Sequence, residues 1–258
     1  MFIVFPNLFL TYWQQIAHKK MLRKLVLILG IALTESIYQW TQPNPPYKKL
    51  TMNIFSNDFT LVSDFTSNQA ILSGSNLGGE KGATDAVTNF LTSLNNLPSD
   101  IDTGKTKTTL LSIQGTNLAP TTSLSNTNII QVDLFQKDVD GIPMFYPNPP
   151  HSTMSFYVGS GEFSPTVVQG DFLHYSISSP SAMYPIKTAD EAFTDLKEQK
   201  AYIPSFPKNT TSIGIKNVTL GYYLGEEKQQ FVQPIYIFDD GEDFAAYVPA
   251  IRNEWIEQ

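Results

Sequence analysis

Apolar residues in the middle of this chain recur at every second position, and that period restricts its folds more than any other feature. Ile130, Val132 and Leu134 alternate with Gln131 and Asp133, and Met154, Phe156 and Val158 alternate in the same way. Successive side chains of a strand point to opposite faces, so this spacing predicts half-buried strands. Between the two runs, Asp140-Gly141 is a hairpin-turn signal. Further on, Val218, Leu220 and Tyr222 line one face of a strand, and Gly225-Glu226 marks a turn. A last pair of strands, 231–238 and 244–251, is joined by Asp239, Asp240, Gly241, Glu242 and Asp243. The stretch 244–251 is apolar on both faces, as a strand covered on both sides requires, and Pro249 ends it or places it at an edge.

Only two segments carry the helical period. In 83–94, Ala83, Ala86, Val87, Phe90, Leu91 and Leu94 fall on one helix face, and Pro98 closes the region. In 188–199, Ala189, Ala192, Phe193 and Leu196 form the apolar stripe, and Thr188 with Glu191 makes a capping box. The expected class is α+β, with antiparallel sheets carrying helices on one face. A helix followed by about three strands occurs twice, which suggests a duplicated α-β-β-β unit. The expected organisation is a membrane anchor or signal region at 1–42, a proline-rich linker with N-terminal strands at 43–82, a first α+β unit at 83–180 and a second at 181–258.

The N-terminal expectation rests on charge. Lys19, Lys20, Arg23 and Lys24 stand directly before the apolar run Leu25–Leu33. That order fits the cytoplasmic flank of a membrane segment, with Tyr38 and Trp40 as aromatic anchors on the far side. Nine apolar residues suit a signal peptide with Met21 as its start, but no small-x-small cleavage site follows, so a retained anchor is preferred. Pro43, Pro45 and Pro46 then predict a stiff spacer. Residues 43–258 are accordingly expected outside the cytoplasm.

Composition excludes several function classes. Residues 1–42 hold four Lys or Arg against one Glu, while the rest holds 13 against 23 Asp or Glu. An acidic body without clustered cations argues against nucleic acid as a partner. With no cysteine, disulfides, thiolate metal sites and Cys nucleophiles are excluded.

From Val139 to the C-terminus the chain resembles the YycH/YycI group of bacterial regulators. The likeness lies in DGIPMF at 140–145, in Leu220, Gly221, Tyr222 and Tyr223, in Gln233–Phe238 and in Ala245–Ala250. With Tyr184–Thr188 added, the sequence also looks like uncharacterised anchored proteins of candidate-phylum bacteria. The resemblance implies a single anchor, an extracytoplasmic domain of PepSY-like repeats, and regulation of a membrane partner such as a sensor kinase by protein contact. The anchor departs from that pattern in being short and carrying Glu35.

No catalytic, cofactor or metal residue is assigned. Gly104-Lys105-Thr106 lacks the first glycine of a phosphate loop, since position 99 is Ser99. Ser205 and Lys208 have an acyltransferase spacing interrupted by Pro207. His151 and His174 are expected to be structural. Asp138, Asp140 and the 239–243 turn do not follow a calcium-loop spacing, and the bland reading is solvated acidic turns. The expected interaction surface is aromatic: Tyr222, Tyr223, Tyr236 and Tyr247, of which some will be core. The expected function is a non-catalytic, anchored interaction or regulatory domain. A carboxylate-based envelope hydrolase and a solute- or glycan-binding module are the alternatives.

Overall fold

A computed structural model describes residues 29–42, 47–74, 76–177, 183–208 and 210–255. Antiparallel sheet dominates and helices are few, the expected α+β class. In chain order the elements begin with β1 (Leu29–Ala32), β2 (Ile37–Gln42), β3 (Lys48–Asn53), β4 (Phe59–Ser63), α1 (Gln69–Leu72) and α2 (Gly79–Ser93). Next come β5 (Lys107–Gln114), β6 (Asn117–Pro120), β7 (Ile129–Leu134), β8 (Met144–Phe145), β9 (Met154–Gly159) and β10 (Thr166–Phe172). The last are α3 (Ala189–Lys197), β11 (Tyr202–Ser205), β12 (Asn217–Tyr223), β13 (Gln233–Asp239) and β14 (Ala245–Pro249). They divide into two units, one with residues up to Ser99, Thr106–Asp133 and Met154–Leu173, the other with Asp100–Lys105, Leu134–Thr153 and the chain from His174.

The first unit is a nine-stranded sheet in the order β1-β2-β3-β4-β10-β9-β7-β5-β6. Helix α2 lies on one face. Its Ala83, Val87 and Leu91 are fully buried, and Phe90 meets Phe59 and Phe156 at ring separations of 6.2 and 6.4 Å. The helix begins earlier than its apolar stripe, because the polar first turn 79–82 can face water without disturbing the seam. On the other face Phe65 and Ile71 pack with Leu111, Ile129 and Val168. Two covered faces explain why β7 is buried along its whole length, Gln131 and Asp133 included, where alternation predicted a half-buried strand. The chain at 83–180 is therefore not a unit by itself: its helix packs on strands from before residue 64, and residues 134–153 belong to the second unit.

The N-terminal segment departs from expectation where it is described. Residues 1–28 lie outside the described residues. Leu29–Ala32, the end of the apolar run, pair antiparallel with β2, from Leu29↔Thr41 to Ala32↔Tyr38. Tyr38 and Trp40 are strand residues with rings stacked at 5.8 Å, and Trp40 is buried above Gly30, where a Cβ would lie 2.6 Å from the indole nitrogen. Their i, i+2 spacing matches Leu50 and Met52 across the ladder, which gives the rings an apolar face to join. The proline stretch, expected as a boundary between anchor and body, lies between two paired strands, with Gln42 opposite Lys48. Residues 43–46 fall outside the described residues. Among the described residues no helix is long and apolar enough to cross a membrane.

The second unit is a five-stranded sheet, β11-β14-β13-β12-β8. Asp140 and Gly141 both take positive φ, 52° and 77°, and Val139 and Ile142 exchange two backbone hydrogen bonds, the tight turn that the Asp-Gly pair predicted. The capping box at Thr188 and Glu191 is formed in both directions. Helix α3 seats Ala192 on Phe238, Phe244, Ala246 and Val248. Lys187, itself buried, joins Asp195 of the helix at 2.9 Å and the Pro249 carbonyl at 3.1 Å, tying both to the end of β14. Phe193, predicted in the stripe, is 38% exposed and sits 5.8 Å from Phe238 with the Lys197 ammonium over its ring.

This difference is measurable. Phe156→Ala, at a fully buried site, is predicted to cost about 3–5 kcal/mol in urea unfolding. Phe193→Ala should cost no more than about 1–2 kcal/mol, since the ring leaves water only in part. Equal losses would contradict the described packing of α3.

Candidate functional site

The register of the five-stranded sheet sorts its aromatic side chains onto two faces. Leu220 opposes Tyr236, Tyr222 opposes Pro234, and Phe238 opposes Ala246, so these side chains share the face covered by α3. Tyr236 packs there and donates its hydroxyl to the Lys187 carbonyl at 2.9 Å. The intervening residues point the other way. Ile235, Ile237 and Tyr247 form a buried floor, with Phe145 and Tyr223 packed on it. Tyr202, opposite Tyr247 in the ladder, completes the set. The four expected interaction residues thus divide between two faces, Tyr222 and Tyr236 with the helix and Tyr223 and Tyr247 on the side away from it.

That second face is a cluster of rings. Tyr202, Tyr223 and Tyr247 stand at mutual centroid separations of 6.4, 6.0 and 6.1 Å with interplanar angles near 60°, and Phe145 is 6.0 Å from Tyr247. Edge-to-face packing of this kind suits the ring quadrupoles. Gly221 leaves the room that Phe145 occupies, since a Cβ there would collide with the ring. Two hydroxyls are spent on backbone: Tyr202 donates to the Pro147 carbonyl and Tyr247 to the Tyr146 carbonyl, each at 3.1 Å. Tyr247 is 4% exposed and belongs to the core, whereas Tyr202 is 49% exposed and Tyr223 half-buried. Burial first, then the neighbouring tyrosines, raises the pKa of Tyr247, and burial does the same for Tyr223, with Tyr202 and Glu226 adding to it. Both shifts favour the neutral phenol.

A polar knot in the same unit holds the segments that carry these rings. Gln136 is fully buried. Its side-chain amide donates to the Tyr175 carbonyl at 2.8 Å and accepts from the Tyr175 amide at 3.1 Å, as a neighbouring strand would. It also donates to Asp100 at 2.8 Å, while its backbone amide donates to the Tyr146 hydroxyl at 3.1 Å. Asp100 meets Nε2 of His174 at 2.8 Å. Tyr175 in turn donates to the carbonyls of Gly225 and Glu227. The His–carboxylate pair brings together residues far apart in the chain, and Asp100 is shared with the buried Gln136 amide.

The other motifs are accounted for locally. Lys105, in the would-be phosphate loop, pairs with Asp138. Ser205 donates to the Asp243 carbonyl. In the acidic turn, Asp240 accepts from the backbone of Glu242 and Phe244 and Asp239 from Gly241, and those amides hold the Asp240 carboxyl below its ordinary range. Among the described residues no group of three or more His, Asp or Glu is arranged to hold a metal ion. Tyr202, Phe145 and Gln136 were not singled out from sequence. The one available signal was Pro204, which marks β11 as an edge strand. Comparison of the sequence with protein-family models gives no match, and no match is found among curated proteins or among solved structures.

Two outcomes test the knot. Gln136→Leu should destabilise the chain by about 2–4 kcal/mol, because it strands two buried backbone groups of Tyr175; a loss under about half a kcal/mol, the range of surface sites, would show the bonds to be idle. Burial pushes the Tyr146 phenol from 10.0 up to about 12. A raised folded value means a contribution complete below about pH 10 and lost as pH rises through about 12. Phenolate absorbance should therefore show a late-titrating class that shrinks in Tyr146→Phe; a titration identical to that of the wild type would overturn the assignment.

Proposed function

We propose that this chain is a membrane-anchored, extracytoplasmic interaction domain that regulates a membrane protein, such as a sensor kinase, by contact and without catalysis. The observation that carries this reading is the ring face of the second unit, where Tyr202 is fixed by the Pro147 carbonyl and half exposed, and packs with the half-buried Tyr223 over the buried Tyr247. Rigid aromatic side chains lose little rotamer freedom on binding and contribute heavily to contact energy.

What supports the location is the cluster of four cations before Leu25, while the end of the apolar run, Leu29–Ala32, belongs to the sheet. A PepSY-like duplication is proposed with it. What supports it is the layer plan, one helix laid on one face of an antiparallel sheet in each unit, while the strand orders differ.

A C-terminal alkaline phosphatase fusion should be active, and a cytoplasmic fluorescent reporter in its place dark; the reverse pattern would place the body inside and end the membrane-exterior reading. In native membranes, Tyr202→Ala should lower crosslinking to the partner. Val218→Ala, exposed on the α3 side of the sheet, should not. Equal yields in the two variants would remove the ring face from the proposal.

A further inference from the structure

The ring face carries an uneven charge environment. Glu226 follows β12 in the turn beyond Tyr223 and is bonded to Asn148, the neighbour of Pro147, whose carbonyl holds the Tyr202 hydroxyl. Its hydrogen-bond partner is a neutral one, Asn148, whose amide donates to it at 2.7 Å, and no cation is paired with it among the described residues. Glu226 thus has no cation against it among the described residues and stands at the margin of two rings that reach solvent, Tyr202 and Tyr223. The Tyr223 hydroxyl has no hydrogen-bond partner among the described residues, and the Tyr202 hydroxyl is fixed to the Pro147 carbonyl, which leaves the exposed part of that ring available.

A ring face attracts cations through its quadrupole, and a carboxylate at its edge adds a hydrogen-bonded counter-charge. A guanidinium satisfies both at once, because it stacks flat on an aromatic ring and still presents N–H groups at its rim, which an ammonium on a flexible stem does less well. The excess of acidic over basic residues after position 42, 23 against 13, favours the approach of a cationic partner at longer range.

Resting on the contact reading above, we propose that Tyr202, Tyr223 and Glu226 form a docking point for an arginine side chain on a basic segment of the partner protein. The guanidinium stacks on the exposed part of the Tyr202 ring, beside which the Tyr223 ring stands at 63°, donates to the Glu226 carboxylate, and is the group by which the partner is recognised.

The test uses the full-length chain in detergent and two capped hexapeptides, hexa-arginine and its uncharged near-isostere hexacitrulline, with binding followed by calorimetry. Hexa-arginine should bind and hexacitrulline should not. Tyr202→Ala and Glu226→Gln should each weaken binding about threefold or more, with circular dichroism unchanged, as expected at exposed positions. The control is Asp239→Asn with Asp240→Asn, which removes more charge from a turn without exposed rings. If that control weakens binding as much as Glu226→Gln, the attraction is diffuse and the docking point is overturned. Failure of hexa-arginine to bind overturns it as well. If partner capture in membranes is lost with Tyr202→Ala while Glu226→Gln has no effect, the contact face stands and the arginine assignment falls; if neither matters, both fall.

Discussion

A helix covers one face of a sheet, and a short helix covers only part of one. Helix α3 has nine residues, a length of about 13 Å, while five strands side by side span about 19 Å. In the second unit the helix lands on Phe238, Phe244, Ala246 and Val248, and the face that no helix shields carries Tyr202, Tyr223 and Phe145 over Ile235, Ile237 and Tyr247. Tyrosine suits such a face, because its ring excludes water from Ile235 and Ile237 while its hydroxyl reaches a carbonyl at the margin. The aromatic face is thus the side of the sheet on which α3 does not lie.

The first unit solves the same problem differently. Its sheet takes α2 on one side and the Phe65–Ile71 segment on the other, so its central strand β7 is buried throughout. The interior aromatics there, Phe59, Phe156 and Phe172, have no polar tip to satisfy and pack as a core alone. In the second unit the buried tyrosines Tyr146, Tyr175 and Tyr247 each have a backbone partner for the hydroxyl.

Much of this was legible from local pattern. The capping box, the Asp-Gly turn, the end of β14 at Pro249 and both main helices depend on contacts within a few residues, and sequence spacing reports such contacts directly. The apolar run ahead of β2 was read as membrane-facing because hydropathy does not distinguish lipid from a neighbouring strand, and for Leu29–Ala32 the neighbour is β2. Phe193 was read as core because it shares the stripe of Ala192, yet it lies at the margin of the helix contact.

The sequence by itself determined the period of each element, its caps and turns, and an acidic body without thiol chemistry. Tertiary structure decided which tyrosines share a face. Tyr223 and Tyr247 were placed together, apart from Tyr222 and Tyr236, by strand register, and a register shifted by one residue would exchange the faces. It also decided that Asp100 meets His174 and Gln136, and that Tyr202 comes to Tyr247. Such meetings depend on the path of the chain between distant segments, which no local spacing records.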